Sequence, residues 1–366
     1  MRALVKSERG PGHLDLNPDW PEPRPQPGWV VADVTACGIC GTDLHIWHDE
    51  HKYWPPVVLG HEYTGRISQV GDGVTGWLPG DRIVCEQHSL ACGACDACRR
   101  GAIHLCAAKR SPGWGIDGAF AEKVALPAHL LHRVPDGVSD EAAVMTEPLA
   151  ICLTGVDRAE VRPGETALVV GPGALGLLTS LILRAAGLRV LLAGRASSAP
   201  RLALARRLGI ETVPDGEAAE RVAGLSARGG ADVVIEASGS EDGLGLAVTA
   251  ARTMGRIVCL GLSGRPRIAF PADEAMRRAL DVRFSMSSEY STWDRALSLL
   301  AAGTVDPRPL LTTYPLHAWR QAIDDLANRQ VVKAALTPRL SRSPVPPPPA
   351  ASARPATPRC RRRRAV

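Results

Sequence analysis

Thr166-Ala-Leu-Val-Val170 runs into Gly171-Pro-Gly173-Ala174-Leu175-Gly176, and an apolar segment continues to Ala186. After Thr166, four apolar residues without polar alternation read as a strand buried on both faces, as in a parallel sheet. The run from Ala174 to Ala186 is long enough for a helix, and Gly187 is its stop. A Gly-x-Gly-x-x-Gly turn is weak evidence alone. Between a strand and a helix it becomes a dinucleotide fingerprint, because its glycines let a pyrophosphate approach the helix N-terminus. The candidate cofactor residues are therefore Gly171, Gly173, Ala174, Leu175 and Gly176.

Downstream, Arg189 to Ala193 reads as a strand, Arg201 to Leu208 as a helix ended by Gly209, and Ala231 to Ala237 and Arg256 to Leu260 as further strands. This alternation predicts an α/β fold with a doubly wound parallel sheet. NAD-binding turns place an acid about 20 residues after the glycines to hold the ribose 2′-hydroxyl. Here the second strand ends in Gly194-Arg195-Ala-Ser197-Ser198, with no acid. Arg195 and the serines suit a 2′-phosphate, so NADP is favoured over NAD.

Upstream, residues 1–150 hold short β-type runs such as Trp29 to Val34 and Arg82 to Cys85. Turns at Gly71-Asp-Gly73 and Pro79-Gly80-Asp81 punctuate them, which predicts a β-rich, barrel-like domain. After residue 285, a helix from Thr292 to Ala302 and a strand near Val332 to Ala335 are expected to return to that first domain.

The chain has 366 residues, 45% of them hydrophobic, enough for two domains with a sizeable core. No apolar run reaches the 18 residues of a membrane span, and the start lacks the pattern of a secretory signal. A cytoplasmic location is expected, where ten cysteines serve as thiols or metal ligands rather than disulfides. The formal charge of +5 comes from the end of the chain. Residues 341–366 carry seven arginines and no acid, and taking those seven from +5 leaves −2 for the rest. That Pro- and Arg-rich tail cannot bury a core and is expected to be disordered.

Cys92, Cys95, Cys98 and Cys106 form C-x2-C-x2-C-x7-C. Four thiolates so spaced can close a tetrahedral shell around a structural zinc. An iron–sulfur cluster is the competing reading, but the bacterial ferredoxin run ends in x3-Cys-Pro. A second group has mixed donors: Cys40, His61, Glu62 and the distant Glu147. Sulfur, nitrogen and oxygen with one open position suit a catalytic zinc. Glu147 precedes Pro148, which predicts an extended backbone there. Cys37 lies three residues before Cys40 and can make a competing C-x2-C pair.

Gly38-Ile-Cys-Gly-Thr-Asp-Leu-His45, Gly60-His-Glu62, the four-cysteine lobe, Thr146-Glu-Pro-Leu149 and Gly171-Pro-Gly173 together resemble the zinc-dependent medium-chain dehydrogenases. The likeness spans about residues 1–340 and is strongest to the sorbitol (L-iditol) and threonine 3-dehydrogenase branch. It implies a GroES-like catalytic domain over 1–152 with a zinc lobe near 88–108. A Rossmann domain follows over 153–284, then a return segment over 285–340 and the tail over 341–366. It also implies catalytic-zinc ligands Cys40 and His61, with Glu62 a ligand or close neighbour and Glu147 binding directly or through water. Cys37 becomes a buried bystander. Asp43 orients His61, and Thr42 and His45 occupy the proton-relay positions. The implied reaction is hydride transfer between a polyol, sugar alcohol or other secondary alcohol and NAD or NADP, by a dimer or tetramer.

Two other readings stand beside it. His45-Ile-Trp47 with Asp49, Glu50 and Trp54 resembles threonine 3-dehydrogenase, while Glu147-Pro148-Leu149 resembles the polyol enzymes. A non-catalytic dinucleotide-binding protein whose arginine tail docks on nucleic acid is the alternative of another class, although a short basic tail without aromatics is more often a solvated appendage. Trp47, Trp54 and Trp114 are candidates for the wall of a substrate cleft.

Overall fold

In the computed structural model, which describes residues 1–338, Thr166–Val170 is the first strand of a six-stranded parallel sheet. All five of its residues are buried, which explains the missing alternation. Across the sheet the order is Glu211–Pro214, Arg189–Gly194, Thr166–Val170, Ala231–Glu236, Ala251–Cys259 and Asp281–Phe284. Chain order reverses between Thr166–Val170 and Ala231–Glu236, where open α/β sheets bind their ligands at the carboxyl ends of the strands. The helix Ala174–Ala185 buries Leu177, Leu178, Ile182 and Leu183. Each such side chain contributes roughly 1.5–3 kcal/mol by leaving water.

A second, mostly antiparallel body is built around Trp29–Gly38, which pairs with Glu62–Val70 and with Lys123–Pro127. Register shifts near Val31 and Val34 bend the central strand. A three-stranded sheet of Leu14–Asn17, Ala3–Lys6 and Val57–Val58 covers one side. Lys333–Thr337 returns to this body, with Ala335 opposite Gly38. The fold is thus α/β, a β-rich body joined to a doubly wound parallel sheet. The expected tail at 341–366 lies outside the described residues.

One local expectation fails. Glu147 is not extended but stands in the first turn of a helix, Thr146–Ala159. Proline is tolerated there because the first four N–H groups of a helix have no intrahelical acceptor to lose. This helix buries Leu149, Leu153 and Val156 in one cluster with Val169 and Leu177 of the parallel sheet body and with Trp293 and Leu297 of the helix Tyr290–Ala301. It carries Glu147 on the side of the β-rich body and anchors its far end against the parallel sheet.

Candidate active site

Cys40 ends the central strand's exit and caps the short helix Gly41–Trp47. Glu62 opens the adjacent strand Glu62–Val70, directly after His61, and pairs with Gly38. Strand register therefore delivers the thiol, the imidazole and a carboxylate to one point. One ligand atom from each of Cys40, His61 and Glu62 lies within 4.8 Å of the other two.

Asp43 ties the two loops together. Its Oδ2 accepts from the Cys40 backbone N–H at 2.9 Å, and its Oδ1 accepts from the Gly60 N–H at 3.3 Å. His61 Nδ1 stands 3.7 Å from Asp43 Oδ1, and this buried nitrogen has no hydrogen-bond partner. Cys37 packs beneath the same loop, since a side chain at position 60 would collide with Phe120 and the Cys37 sulfur. Burial pushes the Cys37 thiol up, and the carboxylates of Asp43 and Glu62 add to it.

Glu147 is not a fourth member of the tight trio. It approaches from its helix, with Oε1 accepting from Gln87 Nε2 and with Oε2 buried and unpartnered. Burial raises its carboxyl to about 8, with the Glu62 charge adding to the effect. Lys333 meets Glu62 from the other side, forming an ion pair in which both side chains are almost fully buried. Lone pairs without donors on His61 and Glu147, beside a thiol and a further carboxylate, suit a bound cation. The S, N and O donor set suits zinc.

The second metal-type group is local. One sulfur from each of Cys92, Cys95, Cys98 and Cys106 lies within 4.8 Å of the others. The Cys95 N–H points at the Cys92 sulfur and the Cys92 N–H at the Cys106 sulfur, each at 3.4 Å. Backbone donors from Ala94 and Cys95 lower the Cys92 thiol to about 6. Backbone donors lower the Cys106 thiol too, whereas burial and the neighbouring thiols push Cys98 up to about 12. Four sulfurs gathered without a disulfide are the donor set of a zinc shell.

At the nucleotide turn, Gly171 has φ +102°, and a Cβ there would meet Ser238 at 2.9 Å. A Cβ at Gly176 would lie 1.9 Å from the Gly171 carbonyl oxygen, so only glycine permits the turn to close on the helix. Position 173, the N-cap of Ala174–Ala185, faces open space. Two glycines thus pack the turn and the middle one leaves room above the helix N-terminus, the room a pyrophosphate needs.

Arg195 projects from the end of Arg189–Gly194 and pairs with Asp242 at 3.0 Å and Asp215 at 3.9 Å. The neighbouring serines are not free beside it. Ser198 is buried, and Ser197 accepts from Arg329.

Thr42 Oγ1 accepts from the Cys40 thiol at 3.8 Å. His45 Nδ1 bonds Glu50 at 2.8 Å with the ring partly exposed, and a side chain at Gly264 would touch that ring. His45 therefore stands where the β-rich body faces the nucleotide body. Trp114 lies edge-on to His61 with centroids 5.1 Å apart, and its carbonyl accepts from the Trp54 N–H. Trp47 instead packs edge-on against Trp319 of the β-rich core.

Sequence reasoning missed Lys333, Gln87, Glu236 and Arg329. Lys333 was visible as a lone charge in the apolar Val331-Val-Lys-Ala-Ala-Leu336, the usual mark of a buried cation with a partner. Glu236 ends a strand of six buried residues and binds the Ser238 and Gly239 N–H groups beside Gly171.

Comparison with known proteins agrees with this construction. Residues 26–136 match the alcohol dehydrogenase GroES-like domain, and residues 174–302 match the zinc-binding dehydrogenase family. A sorbitol dehydrogenase of Halalkalibacterium halodurans is 34% identical over 92% of this chain and 99% of its own. An L-threonine 3-dehydrogenase of Streptomyces avermitilis is 36% identical with the same coverages. The crystal structure of a zinc-binding dehydrogenase from Sinorhizobium meliloti bound to NADP superposes with a TM-score of 0.85 at 31% identity, covering 92% of this chain and 99% of that one. The chain belongs to the zinc-dependent medium-chain dehydrogenases, oxidoreductases that exchange hydride between an alcohol and a nicotinamide dinucleotide, in the branch of the sorbitol and threonine 3-dehydrogenases.

Proposed function

We propose that the protein oxidises a polyol or sugar alcohol at a zinc held by Cys40 and His61, with Glu62 beside it and Glu147 facing it. The observation that carries this reading is the convergence of thiol, imidazole and carboxylate within 4.8 Å, on the side of the β-rich body from which His45 reaches the nucleotide body. Zinc supplies Lewis acidity to the alcohol oxygen, and the dinucleotide supplies the hydride acceptor.

The protein's own residues orient and relay. Asp43 keeps the Cys40 and His61 loops in register. Lys333 neutralises Glu62, so that two buried carboxylates, Glu62 and Glu147, tolerate one another. Thr42 takes the substrate hydroxyl proton, and His45, partly exposed and bonded to Glu50, passes protons to solvent. Cys92, Cys95, Cys98 and Cys106 hold a structural zinc that takes no part in the chemistry.

Replacing Cys40 with Ala is expected to remove one of two zincs per chain and to abolish alcohol oxidation, while dinucleotide binding by fluorescence titration stays intact. Full activity in that variant excludes Cys40 as a ligand. Threonine is the runner-up substrate, supported by the similarity to the Streptomyces enzyme. One cofactor-reduction assay with threonine and with sorbitol-type polyols separates the two.

The cofactor reading favours NADP. Gly171, Gly173, Ala174, Leu175 and Gly176 form the pyrophosphate seat, and Arg195, with Arg329 beside Ser197, offers charge for a 2′-phosphate. A homo-oligomer is supported by the strand Asp281–Phe284, whose outer edge is unpaired among the described residues, and by exposed Phe284 and Met286 alongside it. A cytoplasmic site is supported by the nine cysteines of the described residues, none of which is in a disulfide. The division of the chain at 152/153 and 284/285 belongs to the same reading.

A further inference from the structure

Next to the metal-type trio, two cations share one indole. The Arg110 guanidinium carbon lies 3.5 Å from the Trp54 ring centroid, and Lys52 Nζ lies 4.9 Å from it. Trp54 donates its backbone N–H to the carbonyl of Trp114 at 2.9 Å, and Trp114 packs against both His61 and His51. The cationic pair is thus one aromatic residue away from a proposed zinc ligand.

Among the described residues, neither Arg110 nor Lys52 forms an ion pair. The acids of the neighbouring segments are engaged elsewhere. Asp49 accepts from the Tyr53 hydroxyl, Glu50 bonds His45, and Asp117 accepts from Trp20 Nε1 and the Val58 N–H.

Arg110 is also held in place. A side chain at Gly115 would lie 2.6 Å from Arg110 Cδ, so the stem of the arginine packs on that glycine. Arg110 Nη1 donates to the Ala108 carbonyl at 3.5 Å, the outer limit of a hydrogen bond, and the planar guanidinium fork lying on the ring face matches the two oxygens of a carboxylate or phosphate. Two like charges on one ring repel unless an anion lies between them.

We propose that the reacting alcohol carries an anionic group, a phosphate ester or a carboxylate away from the reacting carbinol, and that Arg110 and Lys52 receive it. This rests on the polyol-type reading of the site and narrows it. The ring face of Trp54 sets the position of the charge, and the distance from Trp54 through Trp114 to His61 sets how far along the carbon skeleton the carbinol lies.

The test uses the full chain loaded with zinc. Five- and six-carbon polyols, their terminal phosphate monoesters, the matching aldonates and threonine are compared with NAD and with NADP. At least one anionic class is expected to exceed its neutral parent by about 10-fold or more in kcat/KM, a ratio that falls with added salt. In R110M that ratio is expected to collapse toward unity, mainly through KM, with R110K recovering part of it and K52M showing a smaller loss.

Inorganic phosphate gives an independent reading. It is expected to inhibit competitively against whichever alcohol is oxidised, and far more weakly in R110M. Oxidation of neutral polyols with no preference for any anionic form, and no competition by phosphate, overturns this inference and leaves the alcohol dehydrogenase reading standing. Oxidation of none of these alcohols overturns both. An equal loss for charged and neutral substrates in R110M, R110K and K52M also overturns it, because the cations then serve the loop and not the ligand.

Discussion

At the residue scale the site depends on charges that burial makes expensive. Glu62 is 2% exposed and Lys333 5%, so each stabilises the other only while both are present. Lys333→Met leaves a buried carboxylate without its cation and is expected to cost about 3–5 kcal/mol in chemical denaturation of the zinc-loaded protein. The double variant with Glu62→Gln is expected to recover most of that loss, which a double-mutant cycle measures directly. Full additivity of the two changes excludes the pairing. Neither partner announces the other along the chain. Glu62 reads as the neighbour of His61, and Lys333 as an oddity in a strand, until the return segment sets them together.

At the scale of elements, two connections respond to conditions. The four-cysteine lobe is stitched by sulfur and short turns rather than by a core. Cys98→Ser is expected to lower zinc content from two to one per chain and to reduce thermal stability, with the catalytic metal retained. Loss of both metals, or of neither, contradicts separate sites.

The other connection is His132, on the strand Leu131–Arg133, which is buried between two carboxylates. Its Nε2 meets Glu86 at 3.2 Å and its Nδ1 meets Asp294 of the helix Tyr290–Ala301 at 2.7 Å. Burial by itself would lower the imidazole, but the bonds to Glu86 and Asp294 outweigh it and raise it above its ordinary value. A raised folded-state value means the stabilisation is fully present below the unfolded value of about 6.5 and is lost as pH rises through the folded one. The stability difference between wild type and His132→Gln is therefore expected to be largest in mildly acidic buffer and to shrink toward alkaline pH. A difference that does not change with pH rules out a charged His132.

At the scale of the whole molecule, the parallel sheet ends in a strand whose outer edge is unpaired among the described residues. Among the described residues, Asp281–Phe284 bonds a neighbour on one edge only, and exposed Phe284 and Met286 lie on or just beyond it. A free edge with apolar flanks invites a second copy, since antiparallel pairing of identical strands closes on itself. Phe284→Asp is expected to reduce the mass by light scattering to that of a smaller species while zinc content is unchanged. An unaltered mass places any subunit contact elsewhere.

Much of this architecture was legible because its causes are local. Four apolar residues in a row, Ala167 to Val170, read as a fully buried strand or helix segment, and the glycines at 171 and 176 specify a turn that nothing bulkier can make. The cysteine lobe closes within fifteen residues, Cys92 to Cys106, so spacing alone brings its sulfurs together. Glu147 shows where local reading stops. The proline after it argued for extended backbone, yet tertiary packing of Leu149, Leu153 and Val156 favoured a helix, and the first turn of a helix accepts proline. Likewise the absence of an acid after the second strand was plain, whereas the two aspartates that reach Arg195 from later segments were not. Sequence by itself determined the chemistry on offer: the sulfur and imidazole donors, the glycine turn, the alternation of strand and helix. Only the tertiary structure decided which charges meet, Lys333 with Glu62, Arg195 with Asp242, Arg110 over Trp54, because such pairings depend on how strands in register bring remote segments together, and no periodicity along the chain encodes that distance.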